Sequence, residues 1–185
     1  NEYKISCLHM QVLMNLSMSL HGQAFVDASS LLAFAAIERL DLLSVAFPVL
    51  WLPSCVQREI AARDFRPNML LREAILRKDK IRTIETPPNI RELIATYLAR
   101  VDPGESEVIA MAKVRNQPAV IDDQDARLLA VSEGVRVIGS LGILAHCKNV
   151  GAIAYVKPYA EAMRAAGRYF SLGLLRDFYR NMGEG

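Results

Sequence analysis

The chain has 185 residues, is 52% hydrophobic and carries a formal net charge of +2. That length and apolar content suit one domain with a substantial core and exclude a disordered chain, while the charge is too small to imply a nucleic-acid coat by itself. The three cysteines, Cys7, Cys55 and Cys147, are far apart and form no CxxC or Cys/His spacing, which excludes a disulfide framework or zinc site and suggests a reducing, cytoplasmic setting.

Residues 1–23 read as an N-terminal extension without an assigned role. Lys4 before an apolar run, with Gly22-Gln23-Ala24 after it, has a faint likeness to a secretory leader. Gln11 and Asn15 make the run too mixed for a membrane span, and no membrane partner is expected. From Ala24 the pattern becomes regular. Ala24-Phe25-Val26 is a short apolar strand ending near Asp27, and a helix follows that Ser29 or Ser30 can cap. VLWLP is a second strand, with Trp51 expected in the core, and Pro53 opens the helix SCVQREIAAR. A more polar stretch then carries a helix in NMLLREAILRK and a strand in IRTIET. Pro87 and Pro88 punctuate before the helix NIRELIATYLARV.

DPGESEVIAMAKV starts a helix, with Asp102 as N-cap, Pro103 in the first turn and Glu105 completing a capping box. The strand PAVID, the helix DARLLAVSEG stopped at Gly134, the strand VRVIG and the helix SLGILAHCKN follow. Two helices, YVKPYAEAMRAAG and SLGLLRDFYRNMG, complete the chain. Strands alternating with helices predict an α/β fold, a three-layer α/β/α sandwich around a mostly parallel sheet. Ligands of such sheets bind beyond the carboxyl ends of the strands.

The acids fall at that edge. Asp27 and the pair Asp122/Asp123 each stand where a strand stops and a helix starts. Glu105 opens the helix before the third of these strands, and Glu59 lies on the helix after the second. Clustered carboxylates repel unless a cation neutralises them, and oxygen-only ligands suit Mg²⁺ or Mn²⁺. Each acid also has a plainer reading. Asp27 reads as a strand-end cap, Glu59 as a partner of Arg58 or Arg63, and Glu105 as half of a capping box. Asp122, Asp123 and Asp125 read as a helix cap complementing the dipole. Glu107, two residues after Glu105, is turned roughly 200° around the helix, so the two cannot easily share a direction. Ser140 opens a helix that suits either a phosphate or an ordinary cap. His9, His21 and His146 form no ligand or catalytic constellation in the sequence and read as surface or packing residues.

The pieces FVDASSLLAFA, VQREI, DPGESEVIAMA and VIDDQDARLLA, in that order and followed by VRVIGSLGILAHCKNVGAI, resemble the PIN-domain family, and in particular its VapC-like toxin subgroup. The resemblance runs from about Ala24 to the C-terminus, marking 24–185 as the nuclease-like domain. It implies a Mg²⁺- or Mn²⁺-dependent ribonuclease. Asp27 would be the first acid, with Ser29 as its neighbouring hydroxyl, Glu59 the second, Glu105 the third and Asp123 the fourth, with Asp122 and Asp125 beside it. Glutamate at the third position departs from the usual aspartate, and Glu107 is an alternative there, as in the E-x-E pair of flap-endonuclease relatives.

On this resemblance Asp27, Glu105 and Asp123 would hold one ion, and Asp125 or Glu59 would position a second ion or the attacking water. Cleavage would leave a 5′-phosphate and a 3′-hydroxyl. The tail cations Lys148, Lys157, Arg164, Arg168, Arg176 and Arg180 would steer an RNA backbone or simply form a solvated face. A small antitoxin and a homodimer are the protein partners the subgroup implies. A degenerate PIN fold that binds RNA or protein without cleaving is the alternative.

Overall fold

The computed structural model describes residues 22–62, 64–77 and 80–185, so the extension, with Cys7, His9 and His21, lies outside the described residues, as does Arg63. Five strands form one sheet: β1 (Gln23–Val26), β2 (Val49–Pro53), β3 (Ile81–Ile84), β4 (Ala119–Val120) and β5 (Val137–Ile138). Every pairing is parallel and the order is β3-β2-β1-β4-β5. The chain builds outward from β1 in one direction, then returns to build outward in the other. The reversal between β1 and β4 leaves a crevice at the carboxyl ends of those two strands.

The α/β architecture expected from alternating elements is therefore present, with helices around an all-parallel sheet. After β1 come α1 (Ala28–Ala36) and α2 (Asp41–Ala46). The sequence pattern suggested one continuous helix here. It breaks because Glu38 takes a left-handed conformation (φ 56°) while the Arg39 amide donates back to the Phe34 carbonyl (2.9 Å). Helices α3 (Ser54–Ala61) and α4 (Arg66–Arg77) separate β2 from β3. A 3-10 turn, Pro88–Ile90, leads into α5 (Arg91–Tyr97), shorter than the pattern suggests. It ends where the Tyr97 side chain is buried and its hydroxyl donates to Glu133.

Helix α6 (Pro103–Arg115) is buried nearly all round from Ser106 to Ala112, which explains its weak sidedness in sequence. It packs on β1 and β2 and touches α5 and α7 (Gln124–Ser132). Helix α1 instead packs against α4, α8 (Ser140–Asn149) and α9 (Lys157–Ala165). Helix α10 (Leu172–Asn181) closes the chain and buries Leu175 and Phe178. Trp51, expected in the core, is only half-buried, and its indole N–H reaches Gln23 Oε1 (2.6 Å). Cys55 and Cys147 are free thiols.

Strands β4 and β5 are shorter than PAVID and VRVIG suggest. Their hydrogen bonds nevertheless run further, from the Pro118 carbonyl, which accepts from Phe25, to the Ile121 amide, which donates to Ile138. No described helix is long and apolar enough to cross a membrane.

The SLGIL segment has a packing reason. A Cβ on Gly142 would come within 2.7 Å of Ile138 Cγ1, so α8 lies on β5 as closely as a glycine allows. Gly142→Ala is expected to cost about 1–3 kcal/mol of stability through overpacking, read as a lower thermal midpoint. An unchanged midpoint would show that α8 can shift freely.

Candidate active site

Parallel pairing decides which acids meet. The Asp27 amide donates to the Val120 carbonyl (3.2 Å), which sets the end of β1 beside the end of β4. Asp27 is only 2% exposed. Its Oδ1 accepts from the Ser30 amide (2.8 Å) and its Oδ2 from the Ser29 hydroxyl (2.7 Å). The cap of α1 is thus Asp27 and not a serine, so the capping and site readings coincide in one side chain. Burial, reinforced by the Asp122 carboxylate, pushes Asp27 up to about 6.

Asp122 Oδ1 accepts from the Ser140 amide (2.7 Å), and Oδ2 from the Ser140 hydroxyl (2.5 Å). Gly139, the residue at the N-cap of α8, has no side chain to give, so Asp122 caps that helix from the neighbouring strand end. Ser140 thereby spends both donors on Asp122. Two arginines flank this carboxylate. Arg168 Nη2 lies 3.3 Å from Asp122 Oδ2 and 3.5 Å from Ser29 Oγ. Arg127, whose Nη1 points to the Ile121 carbonyl (3.5 Å), is held below its ordinary value by burial, with Asp122 opposing that shift. A Cβ on Gly139 would overlap Arg127 Nη1 and stand 3.0 Å from Asp122 Oδ1, so a larger residue there would displace the Arg127 guanidinium.

Asp123 is exposed at the N-cap of α7, its Oδ1 accepting from the Ala126 amide (2.9 Å). Glu105 is half-buried, and one of its oxygens accepts from the Asp102 amide (3.2 Å), half of the expected capping box. Burial first, then the charges of Asp123 and Asp27, push Glu105 up to about 7. Asp27 thus feels the charge of Asp122, and Glu105 feels those of Asp123 and Asp27.

The remaining candidates stand differently. Glu107 is buried and faces away from Glu105, as the helical turn requires. It accepts from the Cys55 amide (2.9 Å) and from the Thr86 hydroxyl, and so caps α3, whose N-cap Pro53 offers no side-chain acceptor. Glu59 is exposed, with Oε2 3.1 Å from where a Cβ on Gly104 would lie, in the first turn of α6. Asp125 is exposed in the first turn of α7.

Among the tail cations, Lys148 pairs with Glu184 (2.6 Å), Lys157 lies over the Tyr179 ring, and Arg176 and Arg180 stand 3.9 Å from Asp177. Among the described residues, Arg168 is the tail cation that contacts the acids. The sequence places it only among six alike. Arg127 has no local signal at all, because its role depends on a glycine twelve residues later.

A family model described as "DUF3368: PIN domain" matches residues 23–184. The chain belongs to the PIN-domain family. PIN domains are generally nucleases and typically use divalent metals, so a nuclease-like hydrolase is the activity at the level the family carries. No curated protein matches the sequence. The donor chemistry fits a hard divalent cation: the crevice presents oxygen ligands, and two of its carboxyls are raised by burial and mutual repulsion that a cation would relieve. Among the described residues, no three acids are gathered closely enough to share an ion as they stand. Ser140 and Arg168 hold Asp122, and the Ala126 amide holds one oxygen of Asp123.

The raised Asp27 has a thermodynamic consequence. Its folded form binds a proton more tightly than the unfolded chain does, so the charge lowers stability as pH rises from about 4 through about 6. The cost is full above that window and absent below it. Asp27→Asn keeps an acceptor for the Ser30 amide and removes the charge. Without added metal it is expected to raise stability at pH 7.5 by about 2 kcal/mol and leave it nearly unchanged at pH 4. Thermal melts at the two values check this; a lower midpoint at pH 7.5 would mean that Asp27 serves as a cap alone.

Glu107→Gln is expected to weaken folding by about 1–3 kcal/mol, since an amide cannot accept from both donors through carboxylate oxygens. Glu105→Gln should leave the melting midpoint nearly unchanged or raised. Equal losses from both would merge the two roles.

Proposed function

We propose that this PIN domain is a divalent-metal-dependent ribonuclease that hydrolyses RNA phosphodiester bonds. The observation that carries this reading is the convergence of Asp27, Asp122, Asp123 and Glu105 on the crevice where the sheet order reverses, with Asp27 and Glu105 raised by burial and by their neighbours.

Asp27, Glu105 and Asp123 would hold Mg²⁺ or Mn²⁺, with Asp122, Asp125 and Glu59 at the margin. When bound, such an ion supplies charge neutralisation on the phosphate and a more acidic water. The chain's own groups do the rest. Ser29 holds one Asp27 oxygen in place, Ser140 and Arg168 orient Asp122, and the first turn of α6 carries Glu105 to the crevice. Glu105 and Asp27 must both lose protons to accept a cation, so metal affinity should rise with pH between about 6 and about 8.

Likeness to VapC-like proteins extends the proposal to the toxin of a type II pair, with a small antitoxin and a second copy of the chain as partners to look for. A binding-only PIN fold is the second reading. It is favoured by the hold of Arg168 on Asp122 and by the open spacing of the acids.

Purified protein should cleave a pooled, end-labelled RNA with Mn²⁺ and lose that cleavage with EDTA. Asp27→Asn and Asp123→Asn should each slow it by on the order of 10²–10³-fold while remaining folded. A folded protein that neither cleaves nor takes up Mn²⁺ by calorimetry would leave the binding-only reading.

A further inference from the structure

The turn after α9 carries chemistry that the acid cluster does not use. Gly167 takes φ +95°, and the Arg168 amide donates to the Met163 carbonyl (3.0 Å), which closes the end of α9. The start of the same helix is held by Glu184, whose carboxylate accepts from the Val156 and Lys157 amides (2.8 and 2.9 Å). A helix fixed at both ends delivers Arg168 to the crevice. Its contacts there, 3.3 Å to Asp122 and 3.5 Å to Ser29, are long for a charge-assisted bond. Among the described residues, its buried Nε has no hydrogen-bond partner. With only these long contacts, the Nη groups of the guanidinium can take a further acceptor.

The next residue is Tyr169, and it is 89% exposed. Arg168 and Phe170 on either side are half-buried, and the Tyr169 side chain between them is turned to solvent. A large aromatic side chain left in water has little to do with folding, but it offers a π-face at the position next in sequence to the cation.

We propose that Arg168 and Tyr169 form a substrate subsite at the mouth of the acid crevice. Arg168 takes a backbone phosphate oxygen, and the Tyr169 ring stacks on an unpaired base of a neighbouring nucleotide. This deepens the nuclease reading and rests on it for the identity of the ligand. The other tail cations are engaged elsewhere, at Glu184, Tyr179 and Asp177, or lie on the exposed face of α9 in the case of Arg164. Stacking requires a base free of its partner, so this subsite favours single strands over duplex.

The test is fluorescence anisotropy with a short 5′-labelled single-stranded RNA and with its blunt duplex, in an Asp123→Asn background that suppresses cleavage. Tyr169→Ala should weaken single-strand binding about tenfold and duplex binding little, and Tyr169→Phe should keep the affinity. Arg168→Gln should reduce the slope of log affinity against log salt by about 0.7, the effect of one lost phosphate contact on a single strand. Unchanged affinity in Tyr169→Ala, an unchanged salt slope in Arg168→Gln, or no binding of the single strand by the parent would overturn the subsite. If these effects appear but the wild-type chain cleaves nothing, the nuclease reading falls and the subsite stands. If the wild-type chain cleaves and the substitutions change neither binding nor cleavage, the reverse holds.

Discussion

The pairing of β1 with β4 is the constraint on which the rest of the site depends. A parallel ladder puts the carboxyl ends of both strands on one edge, and the Asp27 amide bonded to the Val120 carbonyl sets their relative height. Asp27 and Asp122 then stand side by side whether or not their charges favour it. Hydrophobic burial of Phe25, Val26, Val120 and Ile121 holds that arrangement against the repulsion. The result is a fold in which local electrostatic discomfort is stored at one place and stabilised from everywhere else.

Several acids also do structural work at a distance. Among the helices that begin without a capping side chain of their own, the three after Pro53, Gly139 and Val156 each take one from a remote carboxylate. Glu107 serves α3, Asp122 serves α8 and Glu184 serves α9. These carboxylates satisfy backbone amides that would otherwise be orphaned, and they tie elements far apart in the chain. Asp122 does this from inside the crevice, so it links the acid cluster directly to the packing of α8.

The cations near the cluster follow the same logic. Arg127 reaches over the position where a Cβ of residue 139 would stand, and Arg168 arrives in the turn after a helix held at its start by Glu184. Both sit beside Asp122, and neither contacts Asp27 or Glu105 among the described hydrogen bonds. Charge compensation is therefore uneven across the crevice. The two acids pushed furthest from their ordinary values, Asp27 and Glu105, have no cation partner among the described residues, and there a divalent ion or a protonated state would be most effective.

Much of this was legible in the chain itself. Short apolar runs ending in acids, separated by helices with recognisable starts and stops, determined the α/β class and the position of Asp27, Asp123 and Glu105 at element ends. Local chemistry suffices for that, because caps and strand periodicity act over a few residues. The sequence also separated Glu105 from Glu107 by helical geometry alone. Only the tertiary structure decided which acids meet, since the strand order β3-β2-β1-β4-β5 is a matter of long-range packing. It gave Glu107 and Ser140 their partners, broke the first helix at Glu38, and brought Arg127 and Arg168 to Asp122. Those pairings join residues far apart in the chain, or residues related only through the fold. Local pattern carries no record of them; they exist because the core forms first in energy, and the polar groups at its edge must then find partners where the core has put them.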